Sequence, residues 1–257
     1  MSHTRVDAPD LDVSFHWETI NALLYELGGL LFIVGSVFFL PRLEAWKDVG
    51  AWLFFVGSLV YLAVLADDLI ETNQFWPKPR SFSVSRTLES TALWVYVIGT
   101  VLFAVGSLMF VSWWDWLTTG AWLFLIGSAL FVLGASINVL MIIRASSIVS
   151  LQLMNLIALN FIAGSGLFLV ASIPYLWHLD SSSAEEKLFN FLAWQFLIGS
   201  VMFLVGGFLN HMRARVVMRH RKTAIAQDAE ADARLIAFVR GEITEREYYA
   251  NEPAIRP

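Results

Sequence analysis

The chain has 257 residues, of which 57% are apolar, 15% are charged and none is cysteine, with a formal net charge of −5. Soluble chains average about 45–50% apolar and about 25% charged, and here the charges are also segregated, since between Leu88 and Arg144 only Glu89 and Asp115 are charged. These figures exclude a soluble fold, and the lack of cysteine excludes a disulfide framework, a thiolate metal site and a cysteine nucleophile.

Residues 1–20 read as a cytoplasmic N-terminal segment. Its first fourteen residues are polar and acidic, with no basic stretch ahead of the first apolar run, so the first helix is expected to remain as an anchor rather than to be cleaved. Phe15, His16 and Trp17 then suit the headgroup level. The first span, 21–40, carries Gly28-Gly-Leu-Leu-Phe32-Ile-Val-Gly35-Ser-Val-Phe-Phe39 and stops at Pro41, which has no N–H with which to continue a helix. Gly28, Phe32, Gly35 and Phe39 are spaced four, three and four apart, and seven residues fall only about 20° short of two helical turns, so all four share one face.

The same grammar recurs along the chain. The second span, 49–66, has Gly50, Phe54, Gly57, Ser58 and Tyr61, and is predicted to exit at Asp67, Asp68 and Glu71. Together these spans form a first hairpin over 21–70. A connector at 71–89 holds Pro77, Lys78, Pro79, Arg80 and Arg86, a composition for an exposed, non-helical link. A second hairpin over 90–143 repeats the pattern as Gly99, Phe103, Gly106, Ser107, Phe110 and as Gly120, Phe124, Gly127, Ser128, Phe131, joined by the turn Trp113, Trp114, Asp115, Trp116. A third hairpin over 151–210 carries divergent copies, Gly164, Phe168, Ala171, Ser172, Tyr175 and then Leu192, Phe196, Gly199, Ser200, Phe203. Pro174 is placed where a membrane helix tolerates a kink, and Ser183 with Glu186 has the spacing of a capping box for the sixth helix. The predicted class is an all-α integral membrane protein of six transmembrane helices, arranged as three pseudo-repeated helical hairpins with a cytoplasmic C-terminal helical tail.

Lys and Arg flanking the spans number ten on the side of both termini and three on the other, so the termini are expected to be cytoplasmic, with the protein in the plasma or inner membrane. The tail, 211–257, begins HMRARVVMRHRK. Arg213, Arg215, Arg219, Arg221 and Lys222 would meet anionic lipid headgroups there, each gaining about 1 kcal/mol. No nucleic-acid partner is expected, because Asp228, Glu230, Asp232 and further acidic residues interrupt any basic face. Residues 233–251 read as a helix stopped at Gly241 and followed by another helical turn.

Three hairpins with this motif in each helix resemble the YrhK-like family of small membrane proteins. Residues 28–61 and 99–131 carry the pattern nearly whole, and the third hairpin departs from it at Ala171 and Leu192. The resemblance implies a bacterial membrane protein and brings no catalytic residues. The run Gly241 to Tyr248 also resembles the short C-terminal helical hairpins called SHOCT, which implies oligomerisation.

In lipid, helices associate through close approach of small residues rather than through the hydrophobic effect. Gly28, Gly35, Gly50, Gly57, Gly99, Gly106, Gly120, Gly127 and Gly199 therefore read as a packing motif, a groove for the aromatic knob of a facing helix. The serines beside them are expected to bond a neighbouring carbonyl or their own preceding turn. No catalytic constellation is present in the pattern, and Gly164-Ser165-Gly166 is not a nucleophile elbow, so an enzyme is not expected. The five histidines show no metal-binding pair on a transmembrane helix and are placed at ends or in loops, and neither a metal nor another cofactor is predicted. Trp52, Trp122 and Trp194 are repeat equivalents read as packing and interfacial anchors.

Ionisable residues at membrane depth are expensive and mark function by default. Glu26 lies one turn inside the first span, where the other copies have Val97 and Ile162; it is either a carboxylate snorkelling to the interface or a proton- or cation-handling group. Asp68, Asn138 and Asn210 each lie eleven residues after a second-helix glycine and so share one depth, either as helix caps and inter-helix bonds or as a polar vestibule or ion site, with Gln152, Asn155 and Asn160 able to join them. Two functions follow: a structural or interaction protein that forms oligomers or binds a membrane-protein partner, and a small transporter or channel using Glu26 with the Asp68, Asn138, Asn210 set.

Overall fold

The structure is a computed structural model that describes residues 8–75, 84–114, 116–141, 148–176 and 182–239. The connectors between these segments, Asp115 and the SHOCT-like run lie outside the described residues. Among the described residues every regular element is helical: α1 (Ala8–Phe38), a 3-10 turn (Pro41–Trp46), α2 (Lys47–Phe75), α3 (Val84–Met109), α4 (Leu117–Met141), α5 (Ile148–Ser172) with a 3-10 turn (Ile173–Leu176), and α6 (Ser182–Val239). Six of these helices are long and apolar enough to cross a membrane, which at 1.5 Å per residue takes about 20 residues.

Helix ends follow local chemistry. Leu40, ahead of Pro41, is extended at φ −64° and ψ 136°, because the proline ring excludes the α region for the residue before it. The predicted kink at Pro174 is realised as the 3-10 turn that ends α5. Two helices run past their predicted limits. Helix α2 continues beyond Asp68 to Phe75, and α6 continues beyond Asn210 to Val239. In neither stretch is there a glycine or proline, the first being Pro77 and Gly241, and good helix formers carry the helix on once the apolar run is over. By compactness the chain divides into Met1–Arg213 and Ala214–Pro257. In the second unit the described element is the remainder of α6.

In the first unit the helices form a closed ring. Helices α1 to α5 each pack against the next. Helix α6 packs against α5, where Gly164 and Gly199 each lie 3.0 Å from the other's carbonyl oxygen, measured from the position a Cβ would take, and against α1, where Gly29 approaches the Leu204 Cα at 3.0 Å. Ser36 and Ser200 meet across the α1–α6 seam at 3.0 Å.

Aromatic side chains in repeat-equivalent positions fill the axis of this ring in triads. The first-helix triad is Phe32, Phe103 and Phe168, with ring centroids 6.3, 6.2 and 5.6 Å apart. The second-helix triad is Phe54, Phe124 and Phe196, at 6.0, 6.2 and 6.2 Å. All six rings are buried, and these separations fall in the range where aromatic quadrupoles attract. Each first-helix ring also lies over a second-helix glycine: a Cβ on Gly57, Gly127 or Gly199 would come within 2.7, 2.7 or 2.8 Å of Phe32, Phe103 or Phe168. The glycines thus make room for the rings, and the rings interlock three pairs of helices about a pseudo-threefold axis.

Candidate functional site

Toward the end where α1 begins and α2 ends, the copies stop agreeing and polar groups enter the ring. Three residues before the first glycine of each odd-numbered helix stand Tyr25, Tyr96 and Phe161; one residue after it stand Gly29, Thr100 and Ser165. The last aromatic of each second-helix motif, Tyr61, Phe131 or Phe203, completes the layer. Tyr25 packs edge-on against Tyr61 at 4.9 Å and against Phe161 at 5.8 Å. A cavity of about 40 Å³ lies among these side chains.

Just beyond this layer, bonded pairs tie neighbouring helices. Asn21 Nδ2 donates to Asp67 Oδ2 between α1 and α2. Asn138 Nδ2 donates to the Tyr96 hydroxyl at 3.3 Å between α4 and α3. Glu26 Oε1 and His211 Nδ1 are 2.9 Å apart between α1 and α6, with the imidazole side chain 9% and the carboxylate side chain 23% exposed. The sequence places His211 at a helix end; because α6 continues through it, the ring is held inside the bundle. Glu26 therefore reaches inward to a partner rather than outward to the interface. The signal was present in the sequence, since His211 directly follows Asn210 in the register that aligns Asn210 with Asp68 and Asn138.

Of the predicted polar set, Asp68, Asn138 and Asn210 are all half-buried. Asn138 is committed to Tyr96, and on α2 Asp67, the residue before Asp68, accepts from Asn21. Residues 152, 155 and 160 of α5 do not join them: Gln152 and Asn155 are exposed, and Asn160 donates to its own helix at the Leu156 carbonyl, 2.8 Å away. The motif serines Ser36, Ser58, Ser107, Ser172 and Ser200 each donate to the carbonyl four residues back. The basic residues divide: Arg213 is half-buried and Arg215 and Arg219 are exposed, while the side chains of Arg221 and Lys222 lie outside what is described. Trp52, Trp122 and Trp194 face outward, 44, 50 and 49% exposed.

At the opposite end of the ring a wider vestibule of about 380 Å³ opens, within the range of small-molecule sites. Its aromatic floor is again repeat-equivalent, formed by Phe39, Phe110 and Tyr175, and Glu44, Lys47 and Glu186 stand at its rim. Nearby, the Ser112 backbone N–H and hydroxyl both donate to Asp48 Oδ1, at 2.9 and 2.7 Å, clamping the end of α3 to the start of α2. Among the described residues no three His, Asp or Glu side chains converge as a metal site would require.

A closed ring of six helices, each long and apolar enough to cross a membrane and with polar pairs turned inward, fits a multi-pass membrane protein. The YrhK-like protein family matches the chain twice in tandem, over residues 16–72 and 86–143, one match on α1 with α2 and the other on α3 with α4. No curated protein and no solved structure matches the chain.

Proposed function

We propose that the chain is a non-catalytic membrane scaffold of three hairpins with both termini on the cytoplasmic side, which joins copies of itself or membrane-protein partners through its lipid-facing surface and its tail. One observation carries this reading: the six phenylalanines about the axis are buried, and the polar pairs of the first unit are directed at one another. Recognition is then left to the outer faces, where Trp52, Trp122 and Trp194 are placed alike on three helices. Neither a reaction nor a cofactor forms part of this role. Native mass spectrometry of the full chain extracted in its own lipids tests it. Oligomers or a stoichiometric membrane partner are expected; a monomer that brings down no protein overturns the proposal.

A second reading is favoured by the Glu26–His211 pair and by the vestibule on the same axis: a small transporter or channel in which Glu26, Asp68, Asn138 and Asn210 handle a proton or cation. Flux into liposomes decides it. Ion movement that is unchanged in Glu26→Gln and Asp68→Asn removes those residues from any such path.

A further inference from the structure

We infer that the 40 Å³ cavity within the tyrosine layer is an internal hydration site that holds one to three water molecules. Tyr61 and Ser165 both line the cavity, and the buried hydroxyl of each has no hydrogen-bond partner among the described residues. Five of the six motif serines donate to the carbonyl four residues back, whereas the sixth, Ser128, and Ser165 do not; of these two only Ser165 lines the cavity, where its proton is free to bond.

The volume fits water and little else. A water needs about 10–15 Å³ of such space and two to four polar partners, so about 40 Å³ accommodates one to three molecules and excludes a ligand with more than a few heavy atoms. Tyr96 and Thr100 also line the space. Thr100 donates to the Tyr96 carbonyl at 2.8 Å and Tyr96 accepts from Asn138, so the Thr100 oxygen still has a lone pair to offer and the Tyr96 hydroxyl a proton. The repeat copies share out these groups: α1 brings Tyr25 with Gly29, α3 brings Tyr96 with Thr100, and α5 brings Phe161 with Ser165. The third copy lacks the phenol and, like the second, carries a hydroxyl one turn on. The polar side-chain groups among the residues lining the cavity are all hydroxyls, which suit neutral water.

Radiolytic hydroxyl footprinting of the full chain in phosphatidylcholine nanodiscs reads this directly, because radicals form from water held beside a side chain. Corrected for intrinsic reactivity, Tyr25, Tyr61 and Tyr96 are expected to label several-fold faster than Phe32, Phe103 and Phe168 one layer away. Ser165→Ala is expected to reduce that labelling severalfold and to lower the melting temperature. Tyrosine labelling at the rate of the phenylalanine triad overturns the proposal, as does labelling that Ser165→Ala and Tyr61→Phe together leave unchanged. A rise in melting temperature in both variants also overturns it, because removing an unpartnered hydroxyl from a dry cavity stabilises.

Discussion

At the scale of single residues, small size and charge do most of the specifying. A Cβ on Gly50 would stand 2.8 Å from the Gly35 carbonyl oxygen, whereas one on Gly166 would meet nothing within 4 Å. Backbone cannot yield as a side-chain tip can, so α1 and α2 would have to separate. Gly50→Ala is therefore expected to cost about 1–3 kcal/mol, and Gly166→Ala to stay within about 0.5 kcal/mol of the parent, both read by chemical denaturation in mild detergent. Third-copy Ala171 and Leu192 occupy the positions of the facing Gly35 and Gly50, so both members of one contact change together. Glu26 offers a second test. Replacing it by alanine removes a charge-assisted bond in a half-buried site, with an expected loss of about 1.5–3 kcal/mol. A double-mutant cycle with His211→Ala recovers most of that as coupling if the two side chains act as a pair, and none if Glu26 acts elsewhere.

At the scale of helices, the seams are held by few directional contacts. At the α1–α6 seam, Ser36 and Ser200 own two hydroxyl protons between them and form three short contacts, to Phe32 O, to Phe196 O and to each other. One of the three must be without a proton at any instant, so the bond is shared rather than fixed. Interhelical hydrogen bonds in membranes average about 0.6 kcal/mol, and a Ser36→Ala, Ser200→Ala cycle is expected to give a coupling near that figure; a value of zero would assign the seam to packing alone. Sequence periodicity reached as far as this scale. Six apolar helices and their repeat were legible, because four- and three-residue spacings fix which side chains share a face. Which face meets which helix was not, since every motif face has the same small and aromatic chemistry, and ring closure between the first and last helices depends on that choice. Helix ends were misread where polarity was taken for termination, at Asp68 and at Asn210. The tyrosine layer is equally present in the copies, at Tyr25, Tyr96 and Phe161, but a phenol in an apolar helix carries no charge to set it apart from a packing aromatic.

For the molecule as a whole, the aromatic triads and the outward tryptophans make opposite predictions. Phe124→Ala empties the centre of the ring and is expected to destabilise by about 3–5 kcal/mol, detected as a lowered denaturation midpoint. Substituting Trp122 by Phe on the outer face is expected to leave that midpoint in place. Single-tryptophan variants that retain Trp52, Trp122 or Trp194 should be quenched by brominated lipid to similar extents, as repeat-equivalent residues at one depth; unequal quenching would break the pseudosymmetry. The Glu26–His211 pair carries a further consequence, one of time. Its partners lie 185 residues apart, and at a synthesis rate of about 5–20 residues per second the carboxylate waits about 10–40 s for its imidazole. During that interval the growing chain exposes an unmatched acid at the edge of an unfinished ring. A chain halted before His211 would carry the same unmatched acid permanently.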